Sequence, residues 1–276
     1  VSFPAYLNGV IAKFLNATTA DGYNPYRVMR EGIEWEVPEP ENPWANIGYW
    51  SDHQIIYLQK LLELSEQLAP GELQALWNRP IFAYADVPYR IRSYDEMLVD
   101  WYDTIDFDAA ADKKIEHAVG EMGTDAKLMR DESGLVLHVN MMEKLLVLLL
   151  AKLTNLVPEG GIWMNTQRPE WNDANNALVG KGMSVVTTAY LRRFIAFWQS
   201  LLAGQEGARF EVNSAVGTLL AEVQAVFEQH QAALDGGIDD QRRRTIMDQL
   251  GAAATKYRGV IYKGVPETTH VITGEM

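Results

Sequence analysis

The chain has 276 residues, 47% of them hydrophobic and 10% aromatic, enough apolar material for a sizeable core and too much for a disordered chain. Its 24 basic and 37 acidic residues leave a formal charge of −13, which argues against nucleic acid or an anionic membrane as partner, since both need clustered Lys and Arg. There is no cysteine, so disulfide scaffolds, thiolate zinc sites and cysteine nucleophiles are excluded.

The apolar residues recur with a helical period along most of the chain. The first expected helix covers residues 4–17. The next, 52–68, places Ile55, Leu58, Leu61, Leu62 and Leu68 on or near one face. Shorter helices are expected at 71–77, 94–102 and 108–119. Residues 141–157 are apolar almost all round, so that helix should be buried on most sides. Three more follow at 183–202, 214–234 and 239–257. Strand signals are sparse, the best being 135–139 and 260–262. The longest apolar run, Leu145 to Leu150, is too short to span a bilayer. No repeat or low-complexity linker divides the chain, so residues 1–276 are expected to form one helical domain. The sequence opens on Val1 and ends Thr273-Gly274-Glu275-Met276, and the expectation is a piece of a longer protein with further domains. The compartment stays open, with a cytoplasmic setting the first expectation.

Two long segments interrupt this pattern, 21–51 and 157–182. Both are rich in Trp, Asn, Pro, Gly and acidic residues. Five of the eight tryptophans (Trp35, Trp44, Trp50, Trp163 and Trp171) fall in them. Long loops in a helical domain are usually functional or disordered, and tryptophan argues against disorder. Indole packs on the CH face of a pyranose, while Asp, Asn, Glu and Arg meet its hydroxyls, so the composition suits a sugar pocket. The plainer alternative is that the tryptophans pin the loops to the helices. The run Arg168-Pro169-Glu170-Trp171-Asn172-Asp173 leads into a strong helix. There Asp173 is read either as an acid whose pKa is raised beside an indole or as a helix cap.

The segment Trp171-Asn172-Asp173-Ala174-Asn175-Asn176, with Val179-Gly180 and Gly182-Met183-Ser184-Val185, resembles the D-W-N-D-G-M-N, V-G and G-E-S-V signature of the cellobiose and chitobiose phosphorylases. Gly48-Tyr49-Trp50-Ser51-Asp52-His53-Gln54 is similar to that family's G-Y-R-D-S-x-Q-D element. The resemblance implies an all-α (α/α)6 six-hairpin barrel and an inverting cleavage of a glycosidic bond. It matches the family's general acid to Asp173, and a sugar-binding Asp to Asp52 with a shift of one position. Here Glu170 replaces the first Asp of the signature, Met183 its Glu, and Trp50 the sugar-binding Arg. A full barrel has twelve helices and roughly nine can be read in this chain, so the barrel is expected complete or truncated, with Trp-rich rim loops.

Inverting hydrolysis needs a second carboxylate about 6.5–9.5 Å from the acid to activate water. Glu34, Glu36, Asp86 and Glu267 are candidates, with Glu267 preferred because it lies in a turn-rich stretch late in the chain. A phosphorylase replaces that base with bound phosphate. The family's phosphate elements find no clear match, so hydrolysis is favoured and inorganic phosphate is a co-substrate only in the second case. The expected substrate contacts are Asp52, Trp50, Trp171, Asn172, Glu170 and Arg168, with Asp86 and Tyr89 from the polar-aromatic run 84–92. No His spacing suits a metal and no glycine pattern suits a nucleotide, so neither metal nor cofactor is expected. Two further readings are a non-catalytic carbohydrate-binding domain and a helical protein-interaction module.

Overall fold

The computed structural model describes residues 2–24, 27–29, 32–35, 37–38, 41, 52–101, 103–165, 180–205, 207–234 and 236–274; the side chains at 27–29, 52–54 and 234 lie outside that description. Within it the chain is helix-rich. The longer helices are α1 (Phe3–Asn16), α2 (Asp52–Leu68), α4 (Ala109–Met122), α5 (Met141–Leu153), α6 (Val185–Leu202), α7 (Ser214–Leu234) and α8 (Asp240–Ile261), with a single short one, α3 (Tyr94–Val99). Their starts follow capping chemistry. Ser93 and Glu96 form a reciprocal capping box on α3, the Asp108 carboxylate accepts the Ala110 and Ala111 amides of α4, and Asn140 accepts the Glu143 amide of α5.

The all-α expectation needs correction between the helices. There the chain forms eleven short strands among the described residues, joined in five small antiparallel sheets. Strand β1 (Arg27–Met29) pairs with β2 (Gly32–Glu34), β3 (Phe82–Ala83) with β6 (His138–Val139), and β4 (Tyr89–Ile91) with β5 (Ile105–Phe107). Strands β7 (Leu156–Val157), β8 (Gly161–Trp163) and β9 (Met183–Ser184) make the one three-stranded sheet. Strand β10 (Arg209–Asn213) pairs with β11 (Thr269–Thr273) over five residues.

The expected strand at 260–262 is also corrected: Val260 and Ile261 end α8 and Tyr262 caps it. Ile261 completes the buried series Ile246, Leu250, Ala253, Ala254 and Tyr257, whose three-to-four spacing outweighs the local β-branching. The helix expected at 71–77 is only a single 3₁₀ turn at Gln74–Leu76.

Helix α5 lies in the middle of the core. Met141 through Leu148, then Leu150, Ala151 and Lys152, are all buried. Around it Leu7, Ile11 and Leu15 of α1, Ile55, Leu58 and Leu62 of α2, Leu191, Phe194 and Trp198 of α6, and Val216, Leu219 and Val223 of α7 form one apolar cluster with α8. Among the described residues no helix is long and apolar enough to cross a membrane.

Candidate functional site

The two tryptophan-rich segments start from one point. The first leaves α1 through a turn at residues 18–23. Gly22 has φ +84°, and a Cβ there would stand 2.5 Å from the Ala151 Cβ and 2.7 Å from the Val147 carbonyl, so only glycine lets the chain pass this close over α5. Tyr23 follows, fully buried. Its hydroxyl donates to Asn165 Oδ1 at 3.3 Å and accepts from Asn155 Nδ2 at 3.1 Å. Asn165 is the last described residue before 166–179, so this phenol ties the start of one segment to the start of the other.

The second segment is closed by backbone bonds. Gly180 N donates to the Met164 carbonyl at 2.7 Å, and Met164 N to the Gly182 carbonyl at 3.0 Å. Trp163 Nε1 donates to the Gly180 carbonyl at 2.7 Å. Gly180 has φ +75°, and a Cβ there would lie 1.9 Å from the Trp101 carbonyl. Residues 166–179 therefore leave and return at one small sheet. Arg168, Glu170, Trp171, Asn172 and Asp173 lie outside the described residues, as do Trp50 and Glu36. Asp52 begins α2, and its side chain lies outside the description too. Two of the loop tryptophans do pin their loops: Trp163 as above, and Trp35, whose Nε1 donates to Asp112 of α4 at 2.7 Å.

Asp86 and Tyr89 line a cleft of about 400 Å³ together with Asp21, Arg90, Lys114 and Tyr262. Asp21 is buried at its floor, where it accepts from the Tyr262 hydroxyl at 2.6 Å and lies against the Thr19 hydroxyl. Burial pushes its carboxyl above the ordinary range, against the pull of those hydroxyls and of Arg258. The Tyr262 oxygen also accepts the Ile91 amide at 2.9 Å, which fixes it over Asp21. Asp86 meets solvent at the cleft but is walled by protein on its other sides. That partial desolvation raises its pKa, tempered by Lys114 and Arg90. Tyr89 is buried, its ring 5.2 Å from that of Phe107.

Glu267 lines a second cleft of about 610 Å³, with Asp131, His138, Glu143, Arg209 and Glu211. It is exposed and accepts the Glu132 amide at 3.3 Å. Residues 261–264 line the first cleft and 265–267 the second, so Glu267 neighbours Asp86 and Tyr89 without sharing their cavity.

The first turn of α5 carries polar chemistry that sequence reasoning missed. Glu143 accepts the Tyr84 hydroxyl and the Asn213 amide, each at 2.7 Å, and burial raises its pKa. The Lys144 Nζ donates to the Thr18 carbonyl at 2.8 Å and stands 3.7 Å from the centre of the Tyr84 ring. Burial holds its ammonium well below its ordinary pKa. The available signal was two charges opening a helix that is apolar on every side. Among the described residues no three His, Asp or Glu side chains are grouped to hold a metal ion.

No protein-family model matches the chain, and no curated protein matches it.

Proposed function

We propose that the chain is a carbohydrate-active enzyme on a six-hairpin barrel, complete or truncated, that cleaves a glycosidic bond with inversion, Asp173 serving as general acid. The observation that carries this reading is the Tyr23–Asn165 hydrogen bond. It joins the bases of the two tryptophan-rich segments two residues from Asp21, on the floor of the cleft that holds Asp86 and Tyr89. A sugar ring held there would have the Asp21 and Asp86 carboxylates beside its hydroxyls and the Tyr89 and Tyr262 side chains in the same wall.

In this mechanism Asp173 protonates the leaving oxygen as the bond opens through an oxocarbenium-like transition state, and a second carboxylate takes a proton from the attacking water. Asp86 suits that second role better than Glu267. It shares a cavity with the start of the first segment, and burial raises its pKa, the direction that strengthens a carboxylate as a base. Glu267, on the adjoining cleft, is the alternative base. Phosphorolysis is the second reading, favoured by Arg90, Lys114 and Lys263 on that same cleft, three cations able to hold a phosphate nucleophile.

The test is turnover on a panel of aryl glycosides and disaccharides, with and without inorganic phosphate, together with the stereochemistry of the product. Asp173→Asn should cut kcat by about 10²–10⁴-fold. Wild-type rates in that variant remove Asp173 from the mechanism. Saccharide binding by calorimetry with no turnover on any substrate replaces the enzyme with a carbohydrate-binding domain.

A further inference from the structure

A third cavity, of about 290 Å³, lies where the second segment returns to the scaffold, and its chemistry is the opposite of the two clefts. Met97 and Leu98 of α3, Trp101, Trp163 of β8, Met183 of β9 and Met247 of α8 line it. None of its described lining residues is a carboxylate. Thioethers adapt to flat or irregular apolar shapes and make favourable contacts with aromatic rings. The wall they complete is rigid: the Trp163 indole is held by its bond to the Gly180 carbonyl and by an edge-on contact with Tyr94, ring centres 6.3 Å apart. Among the described lining residues the one charge is Lys181, whose Nζ stands 4.9 Å from the centre of the Trp101 ring.

The cavity opens to solvent, since Met183 is 45% and Leu98 38% exposed. An apolar cavity of about 150 Å³ holds a benzene ring. This one has room for one substituted ring and offers almost nothing to a sugar's hydroxyls. Gly180 lines the cavity and its amide is bonded to the Met164 carbonyl, next to Trp163 of β8, so a group held here sits where the run 166–179 rejoins the described chain, the run that carries Asp173.

We propose that this pocket binds a flat aromatic group, with Lys181 favouring an anionic oxygen on that group, and that the group is the aglycone of an aryl glycoside. The word aglycone rests on the glycosidase reading; the binding of the ring does not. The substrate class then becomes phenolic or similarly aromatic glycosides instead of purely saccharide chains. The leaving oxygen, protonated by Asp173, would depart as a phenol.

The probe is 4-fluorophenol, observed through its fluorine line by NMR. Saturable broadening is expected with the wild type. Met183→Glu and Leu98→Glu change exposed positions and should keep the wild-type circular dichroism while weakening binding roughly tenfold or more. In turnover, the kcat/KM ratio of 4-nitrophenyl to methyl glycoside should fall by a similar factor in Met183→Glu. Absence of saturable broadening in the wild type overturns the proposal, and so do glutamate variants that bind the probe as the wild type does. Self-association abolished by Met183→Glu and indifferent to fluorophenol would overturn it in favour of a second copy of the chain. If the ring binds, the variants lose it and no glycoside is cleaved with or without phosphate, the pocket stands and the glycosidase reading falls.

Discussion

Glu143 and Glu63 are both helical glutamates that each accept several hydrogen bonds, the first buried and the second half-buried. Glu63, on the α2 surface, accepts Gln59 Nε2 at 2.9 Å and faces Arg193 of α6, whose Nε lies 2.6 Å away. That guanidinium holds its carboxyl below the usual range. Glu143, in the first turn of α5, is met by neutral donors, a phenol and an amide, and burial drives its pKa the other way. Its neighbour Lys144 is likewise pushed towards the uncharged form. The surface of this protein pairs its charges; the interior tends to extinguish them and supply hydrogen bonds in their place. The two regions should therefore answer differently to substitution and to pH.

The largest effect is expected from Glu143→Ala. It strands the Tyr84 hydroxyl and the Asn213 amide in the interior, at a cost of about 3 kcal/mol or more in urea unfolding. A loss below about 1 kcal/mol would mean that water reaches this region and that the contrast with Glu63 is false. Next comes Gly180→Ala. Its backbone conformation is unfavourable for alanine and its new methyl would overlap the Trp101 carbonyl, so about 2–3 kcal/mol should be lost. A wild-type melting temperature would show that the return of the second segment is not held as described.

The third prediction concerns pH. A carboxyl with a raised folded-state pKa keeps its proton after the unfolded chain has released it. Its destabilising effect is therefore absent below about pH 4 and grows as pH rises, up to the folded pKa. Asp21 is such a group and Asp21→Asn removes it. The stability of the wild type relative to that variant should fall by up to about 1.4 kcal/mol per pH unit on going upward from about pH 4. A flat difference between pH 4 and 7 would show that Asp21 is ionised in the folded protein throughout. The smallest effect belongs to the surface. A double-mutant cycle on Arg193→Ala and Glu63→Ala should return a coupling under about 1 kcal/mol, reduced further by salt.

The long helices were legible because their apolar residues repeat every three or four positions, as Leu191, Phe194 and Trp198 do on α6. The sheets were not: β3, β6, β7 and β9 have two residues each, too few for an alternating pattern to stand out. The start of α5 was hidden for a related reason. Glu143 and Lys144 lie in a run of Met, Leu and Val, where two adjacent charges carry no sign of the buried partners that the fold brings to them. Asp86 and Tyr89 were legible as a polar-aromatic run. Their separation from Glu267 was not, because residues 261–267 pass from one cavity to the next, a path that no local pattern encodes. Of the loop tryptophans, Trp35 and Trp163 act as structural pins, the plainer of the two readings, and Trp44, Trp50 and Trp171 lie outside the described residues.

The backbone bond between Met164 and Gly180 works as a short circuit across the segment they enclose. With the bond from Met164 N to the Gly182 carbonyl, it joins the two ends of the enclosed run directly. Closing a longer or shorter excursion between two joined ends changes the free energy only slowly with its length. As far as closure goes, a run of different length between Met164 and Gly180 would therefore change the stability of the frame only slightly.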